Sequence, residues 1–207
     1  MTNNSETNLI PPHGGYRKLV SYQMAIIIYD LTPIFCEKFL TPVYSSSSSS
    51  LSSRSYIPFK SRTPDQIIQS ARSTCSNIAE ASQDSGTSKK IEIKLTGISR
   101  GCLEELLFDF ESFLRQNGLP IWEKDDPRVL EIRNRSYKTD KTSKTYLDFF
   151  DTPERAANCL ICLIHQTSYL VDRQLKTLEK DFLKNGGFTE RLYNERKKVL
   201  EEERKKS

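Results

Sequence analysis

The apolar pattern between Ile91 and Phe113 constrains this chain more than any other feature in it. Ile91, Leu95, Ile98, Cys102, Leu106, Phe110 and Phe113 recur at steps of mostly three and four residues, and Leu103, Leu107 and Leu114 widen the stripe. Only an α-helix gathers that spacing onto one face. Thr87 or Ser88 opens this helix, and Asn117-Gly118 followed by Pro120 closes it. Gly97 and Gly101, one turn apart, predict that another backbone packs closely there, since each costs about 1 kcal/mol against alanine.

The same grammar marks three more helices. Thr63-Pro64-Asp65-Gln66 places a capping threonine, a proline at the first helical position and an acid in the first turn. Ile67, Ala71, Cys75 and Ile78 then face inward, and the helix ends near Ser82. Asp151-Thr152-Pro153-Glu154 opens another, lined by Leu160, Ile164, Val171, Leu175, Leu178 and Phe182 and closed by Asn185-Gly186-Gly187. The first helix, Arg17 to Leu40, gathers Leu19, Tyr22, Ile26, Tyr29, Cys36 and Phe39, with Pro33 predicting a kink or a break into two pieces.

No stretch between these helices reads as a strand. The expected fold class is therefore all-α: an antiparallel four-helix bundle with an extra short helix and a charged C-terminal helix. Residues 1–15 are expected as a flexible lead-in and residues 16–186 as the bundle. Within it lie a serine-rich loop at 41–62 and a basic irregular segment at 119–151, where Ile121 and Trp122 fold back on the bundle and Asp126-Pro127 starts the short helix. Residues 187–207 form the C-terminal helix, dense in charge of both signs. A charged content of 28% beside 36% hydrophobic residues suits a globular helical protein and is too apolar for a disordered one.

Chemistry-bearing motifs are few. Five cysteines, Cys36, Cys75, Cys102, Cys159 and Cys162, are an odd number spread through apolar helices, and they read as reduced core thiols in a cytosolic protein. Cys159-x-x-Cys162 with His165 could be imagined as a metal site or a nucleophile with its base. The flanking Leu160, Ile161, Leu163 and Ile164 favour core packing instead. Glu104, Glu105, Asp109 and Glu111 lack the Glu-x-x-His repeats of a two-metal bundle and read as a solvated face or as partners for neighbouring Arg and Lys. There is no phosphate loop and no serine elbow. No catalytic residue, metal or cofactor is expected, and the chain reads as a non-enzyme. Met1 to Pro12 carries no apolar signal core, and no run approaches the roughly 18 apolar residues that span a bilayer. The expected location is the cytoplasm, away from membranes.

The net charge of +4 is mild, but between Arg128 and Lys144 basic residues crowd against only Glu131 and Asp140. Arg128, Arg133, Arg135, Lys138, Lys141 and Lys144 could neutralise phosphates, and Tyr137 and Tyr146 could stack on unpaired bases. These residues, with Tyr146 in a supporting role, are the candidate nucleic-acid site.

Several short stretches carry a resemblance. Gly14-Gly15-Tyr16-Arg17-Lys18-Leu19, Arg62-Thr63-Pro64-Asp65-Gln66 and Ser76-Asn77-Ile78-Ala79-Glu80 resemble the bacterial four-helix bundle proteins of the 23S rRNA intervening-sequence family. Cys102-Leu103-Glu104-Glu105-Leu106-Leu107, Asn117-Gly118-Leu119-Pro120-Ile121-Trp122 and the tail from Gly186 to Tyr193 are similar to its four-helix bundle suffix domain branch. Ala81 departs from the glycine usual after the Ala-Glu pair, and the serine run looks like an insertion. The resemblance implies a homopentamer. It also implies, through one relative that serves diversity-generating retroelements, a basic surface that binds nucleic acid and a reverse transcriptase. The expectation is a non-enzymatic oligomeric scaffold that binds RNA, DNA or a nucleic-acid enzyme through basic loops, or else a module that binds a protein partner through its C-terminal helix.

Overall fold

Helix boundaries follow the capping chemistry closely. The structure, a computed structural model, describes residues 10, 12–40 and 63–206. Within these it contains helices α1 (Val20–Phe39), α2 (Thr63–Asp84), α3 (Lys89–Gln116), α4 (Pro127–Ser136), α5 (Pro153–Asn185) and α6 (Phe188–Lys206), and no strand. The fold is all-α. Short 3-10 turns occupy Tyr16–Lys18 and Ser143–Phe149. The Ser88 side chain accepts from the Ile91 N–H, Asp126 from Arg128 and Thr152 from Arg155, so each satisfies a backbone donor left over by the first turn. Pro127 and Pro153 sit in those first turns, where no N–H is needed. Gly118 closes α3 with φ at +63°, a conformation that a side chain would strain.

One hydrophobic core joins α1, α2, α3 and α5. At one end Phe35 is fully buried, with the rings of Phe110 and Phe113 each 5.1 Å away and edge-on. Polar contacts fix how neighbours run. Ser21 donates to Gln174 and Lys38 to the Phe150 carbonyl, at opposite ends of α1. Lys89 meets Asp181, and Arg100 meets Asp172, so α3 and α5 run in opposite directions. Ser70 donates to Glu105, and Asn77 reaches Cys102, which opposes α2 and α3 in the same way. No helix among the described residues is long and apolar enough to cross a membrane.

Several expectations need correction. Residues 12–15 are tied down: the Gly14 N–H donates to the Ser82 carbonyl at 2.8 Å, and His13 lies so close to Gly86 that a Cβ there would sit 3.0 Å from its ring. Helix α1 starts at Val20 and runs unbroken through Pro33, because Leu31, Phe35 and Cys36 on either side are buried in the same core. Its innermost face is Met24, Ile27, Ile28, Leu31 and Phe35, while Leu19, Tyr22, Ile26, Tyr29 and Phe39 only flank the core. Ala81 is buried inside α2, which continues to Asp84, so no turn occurs there.

The largest correction concerns the first half of α3. Ile91 and Ile98 point to solvent, and its buried residues are Glu92, Thr96 and Ser99. Glu92 is held by Lys89 at 2.9 Å, and the hydroxyls of Thr96 and Ser99 donate to carbonyls of their own helix. Among the described residues nothing lies within 4 Å of where a Cβ on Gly97 or Gly101 would stand, so no described backbone outside α3 approaches them. The serine-rich loop expected at 41–62 lies outside the described residues.

Phe35→Ala removes the centre of the aromatic cluster and is expected to cost about 3–5 kcal/mol. Urea unfolding followed by circular dichroism measures it, with the slope against denaturant unchanged.

Candidate nucleic-acid interface

The basic segment is laid down on α5 by apolar cover and clamped by hydrogen bonds. Val129 and Ile132 of α4 are buried, as are Tyr146, Phe149 and Phe150 in and beside the following turn. The turn that forms there, with the Thr145 hydroxyl accepting from the Thr142 N–H at 3.0 Å, was not apparent in the sequence. Ahead of α4, Asn158 accepts from the Trp122 backbone at 2.8 Å and donates to the Pro120 carbonyl at 3.0 Å. The Trp122 indole donates to Glu154 at 2.8 Å. Trp122 thus folds back as expected, whereas Ile121 stays exposed.

This packing divides the predicted site in two. Arg128 lies 3.8 Å over the Trp122 ring and pairs with Asp126 at 2.8 Å and Glu154 at 3.5 Å. Arg135 grips both oxygens of Asp148 at 2.7 Å, donates to the Thr145 carbonyl, pairs with Glu131 and stacks over Phe149. Such a bidentate fork holds a side chain in one geometry. Arg128 therefore fastens the segment to α5 through Glu154, and Arg135 ties α4 to the turn at Ser143–Phe149. Arg133 turns toward the Cys162 thiol and lines a cavity of about 110 Å³ with Trp122, Val129 and His165.

Tyr137, Lys138 and Lys144 form the exposed remainder, with Lys141 half-buried. Tyr137 is 83% exposed just past the end of α4. Lys138 and Lys144 have no acidic partner among the described residues, and Lys141 donates to the Lys138 carbonyl. A shallow groove of about 700 Å³ beside them runs between Pro127, Leu130, Asn134, Lys138 and Thr145. Tyr146 cannot stack on a base: it is fully buried, with its hydroxyl 3.2 Å from Ser136. Asp148 and Glu154 shape the site as strongly as the cations do. Their only trace in the sequence is that they flank an otherwise basic window.

The cysteine and acidic motifs do other work. Burial pushes the Cys36 and Cys75 thiols up to about 12, Cys162 to about 11 and Cys159 well above its ordinary value, which leaves no thiolate at neutral pH. None of the five cysteines forms a disulfide. His165 is exposed on α5. Among the described residues no three His, Cys, Asp or Glu side chains gather in a way that could hold a metal ion. Glu104 pairs with Arg100 of its own helix, and Glu105 accepts from Ser70 at 2.9 Å.

No family model, curated protein or solved structure matches this chain.

The hydrogen bonds from Arg135 hold the Asp148 carboxyl below its ordinary range. A depressed folded-state value contributes stability that is present above about pH 4 and lost as pH falls through that value. Asp148→Asn should be less stable than the parent at pH 7. It should also lose less on acidification from pH 5 to pH 2, as denaturant titrations at each pH will show.

Proposed function

We propose that this chain is a non-enzymatic cytoplasmic scaffold, an antiparallel four-helix bundle that self-associates and offers Tyr137, Lys138, Lys141 and Lys144 to single-stranded RNA or DNA. The alternating directions of α1, α2, α3 and α5, read from their polar contacts, support the bundle. A ring of five copies rests on the resemblance to the intervening-sequence family. The observation that carries the binding reading is the division of the basic segment. Arg128 and Arg135 are paired internally, while Lys138, next in sequence to the exposed Tyr137, and Lys144 have no acidic partner among the described residues. Exposed cations and an exposed ring suit a phosphate backbone with splayed bases, which needs charge and stacking more than a fixed donor pattern. Basic residues at the same end could equally meet the acidic surface of a nucleic-acid enzyme.

Fluorescence anisotropy with a labelled mixed-sequence single-stranded RNA tests this. Affinity should fall steeply with salt, and Lys138→Glu with Lys144→Glu should flatten the log–log salt slope by about 0.7 per lysine. An unchanged slope, or no binding at low salt, sinks the reading.

A second reading draws on α6. Leu192, Tyr193, Val199 and Leu200 are exposed on it, and among the described residues α6 makes no extensive contact with another helix. Apolar side chains on a highly charged helix suit a protein partner that covers them. Because α6 buries little, a chain ending at Gly186 should keep its thermal midpoint. A drop beyond about 4 °C, roughly 1 kcal/mol, would make α6 part of the core instead.

A further inference from the structure

The outward face of α3 is a seam written to match itself. Ile91, Lys94, Ile98, Gly101, Glu105 and Phe108 are all exposed, and they follow one another at steps of three, four, three, four and three. That alternation keeps all six on one stripe of the helix, the spacing that brings two helices together along their length. Ile98 is 42% exposed and Phe108 65%, an unusual outlay of apolar surface for a helix whose other side already packs against α2 and α5.

Read backwards, the stripe gives its own complement. About a point between Ser99 and Arg100, Ile91 falls opposite Phe108, Lys94 opposite Glu105 and Ile98 opposite Gly101. Apolar meets apolar, cation meets anion, and the branched isoleucine meets the position with no side chain. Each pairing occurs twice across a two-fold axis, as an isologous contact requires. Gly101 has free space around its absent Cβ, and Gly97 beside the stripe is equally open. Lys94 has no ion pair among the described residues. Glu105 accepts from the Ser70 hydroxyl and pairs with no cation among the described residues.

We propose that a second copy of this chain covers this face, with the two α3 helices antiparallel and the contact running from Ile91 to Phe108, about 26 Å of helix. The charge pattern selects the occupant. An unrelated helix has no reason to carry the reverse of this stripe, and a parallel partner would set Lys94 against Lys94 and Glu105 against Glu105. The contact specifies one interface of the self-association proposed above and closes on two copies. A five-membered ring needs a different surface, so where both form, rings join in pairs.

Sedimentation equilibrium of the full chain tests the seam. The parent should contain an even number of chains per particle. Lys94→Glu should halve that number, and so should Glu105→Lys, each by facing two like-charge pairs across the axis. An equal mixture of the two variants should restore it, because every 94–105 contact then joins opposite charges. Gly101→Leu guards against a mere folding defect. It should raise the thermal midpoint of the isolated chain, since leucine favours helix over glycine, while also halving the particle by filling the space for Ile98. A parent that is a monomer overturns both this seam and the self-association. A parent oligomer whose size ignores both charge variants, or variants that fail to recombine on mixing, overturns the seam alone and leaves the RNA titration to judge the rest.

Discussion

Helix α5 carries an apolar run that must be covered from every side, and much of the structure follows from that. Cys159, Leu160, Ile161, Cys162, Leu163 and Ile164 are consecutive, so they point all the way around the helix, and all are buried. A helix with one apolar stripe can leave its back in water; this stretch cannot. Helices α1 and α3 cover one part of its circumference. The remainder is closed by α4 and the turn at Ser143–Phe149, with Val129, Ile132, Tyr146 and Phe149 as the contact residues. The segment between α3 and α5 is therefore a lid for the core before it is anything else.

That first duty decides which cations are left for a partner. A cover of this length holds its position only if its ends are pinned. Asn158 and Glu154 of α5 hold Trp122 at one end, and the Arg135–Asp148 pair locks the two halves of the cover, α4 and the following turn, to each other. Arg128 and Arg135 stack on aromatic rings as they pair, so each joins a charge contact to an apolar one. What remains available sits where the cover turns, around Tyr137 and the lysines that follow. Charge counted along the chain does not show which cations are already paired, because ion pairing is a property of the folded neighbourhood.

The helices were legible because capping and periodicity are local. Ser88, Thr152, Pro153 and Gly118 act within one turn of where they stand, and their readings needed no tertiary knowledge. The inward stripe of α2, Ile67 to Ile78, was equally clear because polar residues flank it on both sides. Phase was lost where apolar residues occur on more than one face. In α1, Ile26 and Tyr29 fit a helical stripe as well as Ile27 and Ile28 do, and only the neighbouring helices choose between them. The candidate site meets the same limit. Tyr137 and Tyr146 look alike in sequence, yet one lies past the end of α4 and the other beneath the cover.

The phase error in α3 has a different origin. Its inward face contains Glu92, Thr96 and Ser99, residues that a hydrophobicity pattern assigns to water. The burial is tolerable because each is satisfied nearby: Glu92 by Lys89, and the two hydroxyls by carbonyls of their own helix. On α2, which packs against α3, Ala81 and Ser82 are buried as well. Small satisfied residues thus do inside what large apolar ones usually do, and Ile91 and Ile98 are left facing out. Exposure of that kind costs solubility unless something covers it. The same inversion that misled the stripe is what frees a helix face for contact outside the chain.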